Sequence, residues 1–233
     1  MNHSSPYPFR KQLKTGPLSH RVMDEIRHAM LNGDLKPGDR LPTETSLSES
    51  LGVGKSSIRE AVKMLEVLGV VETRQGDGTY IASSQKEQHV NPLVYQLILL
   101  QGGENRIFEL RAMFEPAYTM LALQNVTEED LRKLKKVHVH FCEKVANGAQ
   151  QADDDLDFHR AILEATHNPY VIRIGETILQ LFSATIAKSM KHIPERAIQD
   201  HERILDAFLR KDPASLQTAI HHSFEGWKSM MTE

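Results

Sequence analysis

Glycines between residues 51 and 78 constrain this chain more than any other feature. The turn Leu51-Gly52-Val53-Gly54 separates two short helical segments. One runs from Glu44 to Leu51 behind Thr43, and the other from about Ser56 to Leu68, where Gly69 stops it. A turn this short, carrying glycine, suits the steep crossing of a helix-turn-helix. Ahead of it, Val22, Ile26, Met30 and Leu31 recur at helical spacing within Leu18–Leu31, and Asn32-Gly33 closes that helix. Behind it, Val70-Val71-Glu72-Thr73-Arg74 alternates as a strand. Gln75-Gly76-Asp77-Gly78 is a hairpin signal, and Thr79-Tyr80-Ile81 returns as the second strand. Three helices followed by a two-stranded ribbon make the winged form of a helix-turn-helix.

The rest of the chain reads differently. Residues 1–15 lack periodicity and are expected to be a mobile tail. Residues 16–82 form the winged domain, and the polar stretch 83–92 reads as a linker. From 93 to 233 helical periodicity dominates. Thr127-Glu128-Glu129-Asp130 resembles a capping box, and Asn147-Gly148 ends the helix it starts. Further helices fit 151–167, 169–192, 196–211 and 213–231, with breaks at Asn168-Pro169, Pro194 and Asp212-Pro213. No strand pattern interrupts them. The expected fold is mainly α: an N-terminal winged helix-turn-helix with a β wing, then an all-α antiparallel bundle.

Composition narrows the function. The single Cys142 cannot form an internal disulfide or a Cys-rich zinc site. The N-terminus has no apolar signal core, and the most apolar run, Leu93–Leu100, is far shorter than the ~20 residues that span a bilayer. A cytoplasmic protein with no membrane partner is expected. Net charge is −3, with 11 Lys/Arg against 10 Asp/Glu up to residue 83. Such a balance does not identify a DNA binder; the placement of the charges must.

Lys55 and Arg59 are four apart, on one face near the start of the candidate recognition helix. Ser56 and Ser57 can reach phosphates or base edges, and the amides at that helix end attract phosphate. Arg74 and Gln75 stand at the wing tip. In the bundle, Asp155 and His159 share a helix face at i and i+4, with His201, His221 and His222 on later helices. A carboxylate and imidazoles converging in a bundle suit zinc, nickel or manganese. The same spacing also serves an ordinary Asp–His ion pair, but Leu156, Phe158, Ile162 and Leu163 mark a packed helix. Arg111 and Glu115, again four apart, read first as a helix ion pair and second as a carboxylate grip. His138 and His140 face different ways. Arg132-Lys133 and Lys135-Lys136 read as a solvated face. Phe224 and Trp227 read as packing residues.

These residues resemble a known family. Gly38-Asp39-Arg40-Leu41-Pro42-Thr43-Glu44, Leu51-Gly52-Val53, Ser57-Ile58-Arg59-Glu60-Ala61 and Gly76-Asp77-Gly78-Thr79 resemble the DNA-binding domain of GntR-type bacterial transcription regulators. Leu110-Arg111 with Glu115, Asp155-x-x-Phe158-His159, Asn168-Pro169 and His201–Ala207 resemble the FadR-like branch, whose ligand domain is called FCD. The resemblance implies a homodimer on a palindromic DNA operator. Arg40, Thr45, Lys55, Ser56, Ser57, Arg59, Gln75 and Gly76 become the candidate DNA contacts. Asp155, His159 and His201 match positions that hold a divalent metal ion, zinc before nickel or manganese. Arg111, Asn168, His222 and Ser223 become candidate contacts to a small carboxylate effector, such as a sugar acid, hydroxy acid or dicarboxylate.

Three positions depart from the family pattern. Lys55 replaces an arginine and cannot form its bidentate fork. Thr45 stands where an arginine often helps bind DNA. The last metal histidine falls at Ser223, on the stripe of Leu216, Ala219 and Ile220, while His222 is turned about 100° away. Either His222 swings in, or water or effector completes the sphere. The expected function is a ligand-responsive regulator, a repressor that its effector releases from DNA, with no catalytic residues. A metal-dependent enzyme acting on a small organic acid and a metal-independent acyl-CoA-responsive regulator are the alternatives.

Overall fold

The computed structural model describes residues 17–83, 91–100 and 103–231. The expected tail, most of the linker and the side chain of Trp227 lie outside the described residues. The chain divides into two compact units, residues 1–92 and 93–233.

The first unit contains α1 (Leu18–Leu31), α2 (Glu44–Leu51), α3 (Lys55–Val67), β1 (Val71–Arg74) and β2 (Gly78–Ile81). Local chemistry sets each boundary. Thr43 Oγ1 accepts the Ser46 amide proton at 3.2 Å and caps α2. Gly52 closes that helix at φ 66°, a conformation glycine adopts without steric cost. The helix α3 starts at Lys55, one residue before the periodicity suggests, because Gly54 takes the N-cap position. The strands pair antiparallel, with Val71 opposite Ile81 and Arg74 opposite Gly78. Leu41 donates its amide to Thr79 at 2.8 Å, tying the segment before α2 to the wing. Val22, Ile26, Leu47, Leu51, Ile58, Ala61, Leu65, Val71 and Ile81 form one core. Every element contributes to it, so α3 and the wing are held by the same apolar contacts.

The second unit is helical among its described residues: α4 (Pro92–Leu99), α5 (Gly103–Asn125), α6 (Glu128–Ala146), α7 (Ala152–Glu164), α8 (Pro169–His192), α9 (Pro194–Arg210) and α10 (Pro213–Met231). The capping box at Thr127 and Asp130 forms in both directions and starts α6. Pro194 and Pro213 open α9 and α10 at their first positions, where a missing amide proton costs nothing. Pro116 sits inside α5 and removes one internal hydrogen bond. Phe141, Phe158, Phe182, Phe208, Ile162 and Ile186 are fully buried at the centre.

The helices α7 and α8 approach closely because Gly175 has no side chain. An added Cβ there would overlap both methyl groups of the fully buried Leu163. Gly175→Ala is therefore expected to destabilise the bundle by about 1–3 kcal/mol. Urea unfolding checks this, as a lower midpoint at unchanged slope. No helix among the described residues is long and apolar enough to cross a membrane.

Candidate nucleic-acid interface and metal centre

The N-terminus of α3 lacks a side-chain cap, and the Gly54 carbonyl accepts the amides of Ser57 at 3.0 Å and Ile58 at 3.3 Å. Lys55, Ser56 and Arg59 are exposed beside them, and Ser57 is half-buried. Ile58, Ala61 and Leu65 point the other way, into the core. The helix is thus amphipathic, with Lys55 and Arg59 on its exposed cationic face. The Arg59 Nε–H donates to Glu44 Oε2 at 2.7 Å. Thr45 is exposed next to Glu44.

Side chains brace the wing. The Arg74 guanidinium lies 4.1 Å from the Tyr80 ring centroid and pairs with Glu72 at 2.6 Å. Tyr80 donates its hydroxyl proton to Asp77 at 2.9 Å. Arg40 donates to the Asp77 backbone carbonyl and covers Gly78. Gln75 and Gly76 are exposed at the hairpin tip, with Gly76 at φ 76°. Arg40 therefore stiffens the wing as well as carrying charge.

In the bundle, α7 supplies Asp155 and His159, and α9 supplies His201. All three are buried, and one donor atom from each lies within 4.8 Å of the others. His201 Nε2 is 3.3 Å from Asp155 Oδ1, and His159 Nε2 is 3.7 Å from Asp155 Oδ2. The Phe158 ring stacks on His201 at 4.0 Å between centroids. This trio is the one His/Cys/Asp/Glu cluster of metal-binding geometry among the described residues.

Helix α5 adds a second layer. Arg111 and Glu115 are each only 4% exposed and form an ion pair through Arg111 Nε. Arg111 Nη2 lies 3.1 Å from His159 Nε2. A guanidinium can only donate, so Nε2 is the accepting nitrogen and the His159 proton sits on Nδ1. Glu115 Oε1 lies 3.1 Å from that Nδ1. The Nε2 lone pair accepts from Arg111 here, so His159 would ligate a metal only once that guanidinium turns away. The pair is no surface ion pair; it is desolvated, and its charges bear directly on His159.

Protonation follows from burial. Burial pushes the Asp155 carboxyl up, against the opposing pull of His159 and Arg111. It also pushes His201 well below its ordinary value, aided by His159 and His138. Burial would raise Glu115 as well, but Arg111 and His159 overcome it and hold that carboxyl well below the usual range. Asp155 Oδ2 has no hydrogen-bond partner. A buried carboxylate oxygen without a donor is costly, and a divalent cation would satisfy it and reverse the upward shift. One hard oxygen and two imidazoles therefore fit a first-row divalent ion.

The other candidate effector contacts lie elsewhere. Asn168 Oδ1 accepts the amides of Tyr170 at 3.0 Å and Val171 at 3.3 Å, which commits it to capping α8. His222 is exposed, 3.3 Å from Asp200 and 3.1 Å from Arg203 Nη1. Ser223 is half-buried, on the stripe with buried Leu216, Ala219 and Ile220. An open groove of about 620 Å³ runs between α5 and α10, lined by Ala112, Pro116, Met120, Ile220, His221 and Phe224. The metal-binding trio is not in its wall. Phe224 links the two regions, since its ring also lies 5.9 Å from the Arg111 guanidinium. Glu44 and Glu115 complete the two sites: spacing pairs Glu115 with Arg111, but its approach to His159 and that of Glu44 to Arg59 have no local sequence signal.

A braced wing beside an exposed recognition helix, joined in one chain to a helical bundle with a buried polar centre, defines a DNA-binding transcription regulator with a ligand domain. Residues 18–81 match the bacterial regulatory proteins of the gntR family, and residues 106–226 match the FCD domain. The chain belongs to the GntR family, in its FCD-containing group. It is 30% identical over 196 residues to the HTH-type transcriptional regulator LutR of Bacillus subtilis, covering 81% of this chain and 90% of that one. It is 29% identical to the Exu regulon transcriptional regulator of Escherichia coli, over 92% of this chain and 84% of the relative. The solved structure of Streptococcus agalactiae GntR superposes with a TM-score of 0.66 at 28% identity, covering 91% of this chain and 99% of that one. These domains and relatives are transcription regulators rather than enzymes.

Proposed function

We propose that this regulator is a cytoplasmic homodimeric repressor, released from a palindromic operator by a small carboxylate metabolite that binds beside a divalent metal. In this reading residues 16–82 bind DNA, 83–92 link, and 93–233 sense the effector. The buried Asp155–His159–His201 cluster, with its unpartnered carboxylate oxygen and the Arg111 guanidinium alongside, carries the reading. Asp155, His159 and His201 would hold the metal, which supplies a Lewis-acidic site for an oxyanion. Arg111 would bind the effector carboxylate through the Nη donors that now face His159. Glu115 would keep the His159 proton on Nδ1. His222 is engaged by Asp200 and Arg203, so effector or water, rather than His222, would complete the coordination near Ser223.

Release requires that the effector bind the DNA-incompetent arrangement more tightly than the competent one; affinity alone shifts nothing. Thermal-shift screening of sugar acids, hydroxy acids and dicarboxylates against the zinc-loaded protein tests the assignment. A hit should dissociate the protein from DNA and should lose its stabilising effect in Arg111→Lys, which keeps the charge but not the fork. Stabilisation by carboxylates that survives both Arg111→Lys and metal removal would refute the site.

A further inference from the structure

We propose that Glu44 is a positioning residue for DNA readout: it holds Arg59 through Nε and presents the two Nη groups to one base pair in the major groove. The inference rests on the DNA-binding reading of α3 and adds to it a residue that does not itself contact DNA.

Glu44 is the first residue of α2, and its backbone is fixed there by the Thr43 cap. Arg59 lies one turn into α3, on the same face as Lys55. The contact therefore crosses the helix-turn-helix, between two helices locked by the shared core of Leu47, Leu51 and Ile58. Arg59 Nε meets Glu44 Oε2 at 2.7 Å, and no other described group bonds the guanidinium. Both side chains remain exposed, Arg59 by 64% and Glu44 by 42%.

Geometry gives that bond its meaning. A guanidinium has one Nε–H edge and a fork of Nη–H donors. Occupying the Nε edge fixes the plane and leaves the fork, the part that matches guanine O6 and N7. An unrestrained exposed arginine samples many rotamers and loses that freedom on binding; a restrained one has already lost it. Lys55 lacks a fork, so a planar two-pronged contact from this face of α3 must come from Arg59.

Electrostatics makes the test decisive. Glu44 is an anion beside the expected path of a polyanion. If it were only a nearby charge, its removal would strengthen binding to every sequence alike. If it positions Arg59, its removal must flatten preference at one base pair.

Binding sites would be selected from a random-sequence duplex pool at fixed salt with wild type, Arg59→Ala, Glu44→Ala and the double variant. Circular dichroism checks that each is folded. Arg59→Ala should lose preference at one base pair of each half-site. Glu44→Ala should lose preference at the same base pair, lowering discrimination there by roughly 5- to 100-fold. Its affinity for non-specific duplex should be unchanged or higher, and the double variant should discriminate no worse than Arg59→Ala. If Arg59→Ala flattens the base pair and Glu44→Ala does not, or if Glu44→Ala shifts all sequences equally, the positioning role is overturned. If Arg59→Ala leaves every preference intact, the recognition-helix reading falls and this inference falls with it.

Discussion

Alanine at His159 or His201 is expected to abolish stoichiometric metal in protein purified without a polyhistidine tag. Losing an outer-shell partner of a metal-bound histidine typically costs 10- to 100-fold in affinity. Losing one of three protein ligands should cost at least that, enough for the metal to be stripped during purification. Elemental analysis by mass spectrometry reads the result directly, with about one ion per wild-type chain as the reference. His201 also stacks on Phe158, so His201→Ala opens space in the core. Asp155→Asn, which conserves volume, supplies the control that separates lost ligation from lost packing. Full occupancy in all three variants would exclude this cluster as the metal site.

The pH dependence has a definite sign. Metal binding requires an ionised Asp155, and burial holds its carboxyl above the ordinary range. Protons therefore compete with the metal at Asp155 from a higher pH than at an ordinary aspartate. His201 is shifted the other way, so its protonation opposes the metal only at lower pH than for a free histidine. Metal occupancy should fall on acidification and return on neutralisation.

The second large effect is on DNA. The double variant Lys55→Ala, Arg59→Ala should bind a selected operator about 10- to 1000-fold more weakly at fixed salt, combining one lost base contact with lost phosphate attraction. The slope of log affinity against log salt should become shallower by about 0.9 for each phosphate contact removed. Both residues are exposed on α3 and contribute nothing to its core, so the variant should unfold as the wild type does. Fluorescence anisotropy across a salt series checks affinity and slope together. An unchanged affinity with an unchanged slope would move the DNA-binding surface off α3.

These outcomes bear on a division visible along the whole chain. The winged unit is legible because its boundaries are local: Thr43, Gly52, Gly54 and Gly76 each act within a few residues of where they stand. The capping box at Thr127 and the prolines opening α9 and α10 are local in the same way. The bounds of α5 escape this reading, although Arg111 and Glu115 read as a helical pair, because Pro116 stands inside it and its apolar residues follow no single stripe.

The two sites divide along the same line. The i, i+4 spacing by itself puts Asp155 with His159, and Arg111 with Glu115, because a helix brings residues four apart onto one face. It does not determine whether either pair is solvated or buried, and burial changes the chemistry. Burial pushes the Asp155 carboxyl up and His201 down, and it sets Arg111–Glu115, a screened pair at a surface, in the core against His159. His201, 42 residues beyond His159, joins the cluster only because α9 packs in the same bundle as α7. Glu44 reaches Arg59 only because the turn at Gly52 folds α2 across α3. The sequence by itself determined which residues carry charge and which helix face each occupies, since backbone geometry is repeated locally. Only the tertiary structure decided which faces meet and lose water, since desolvation and long-range contact depend on elements far apart in the chain.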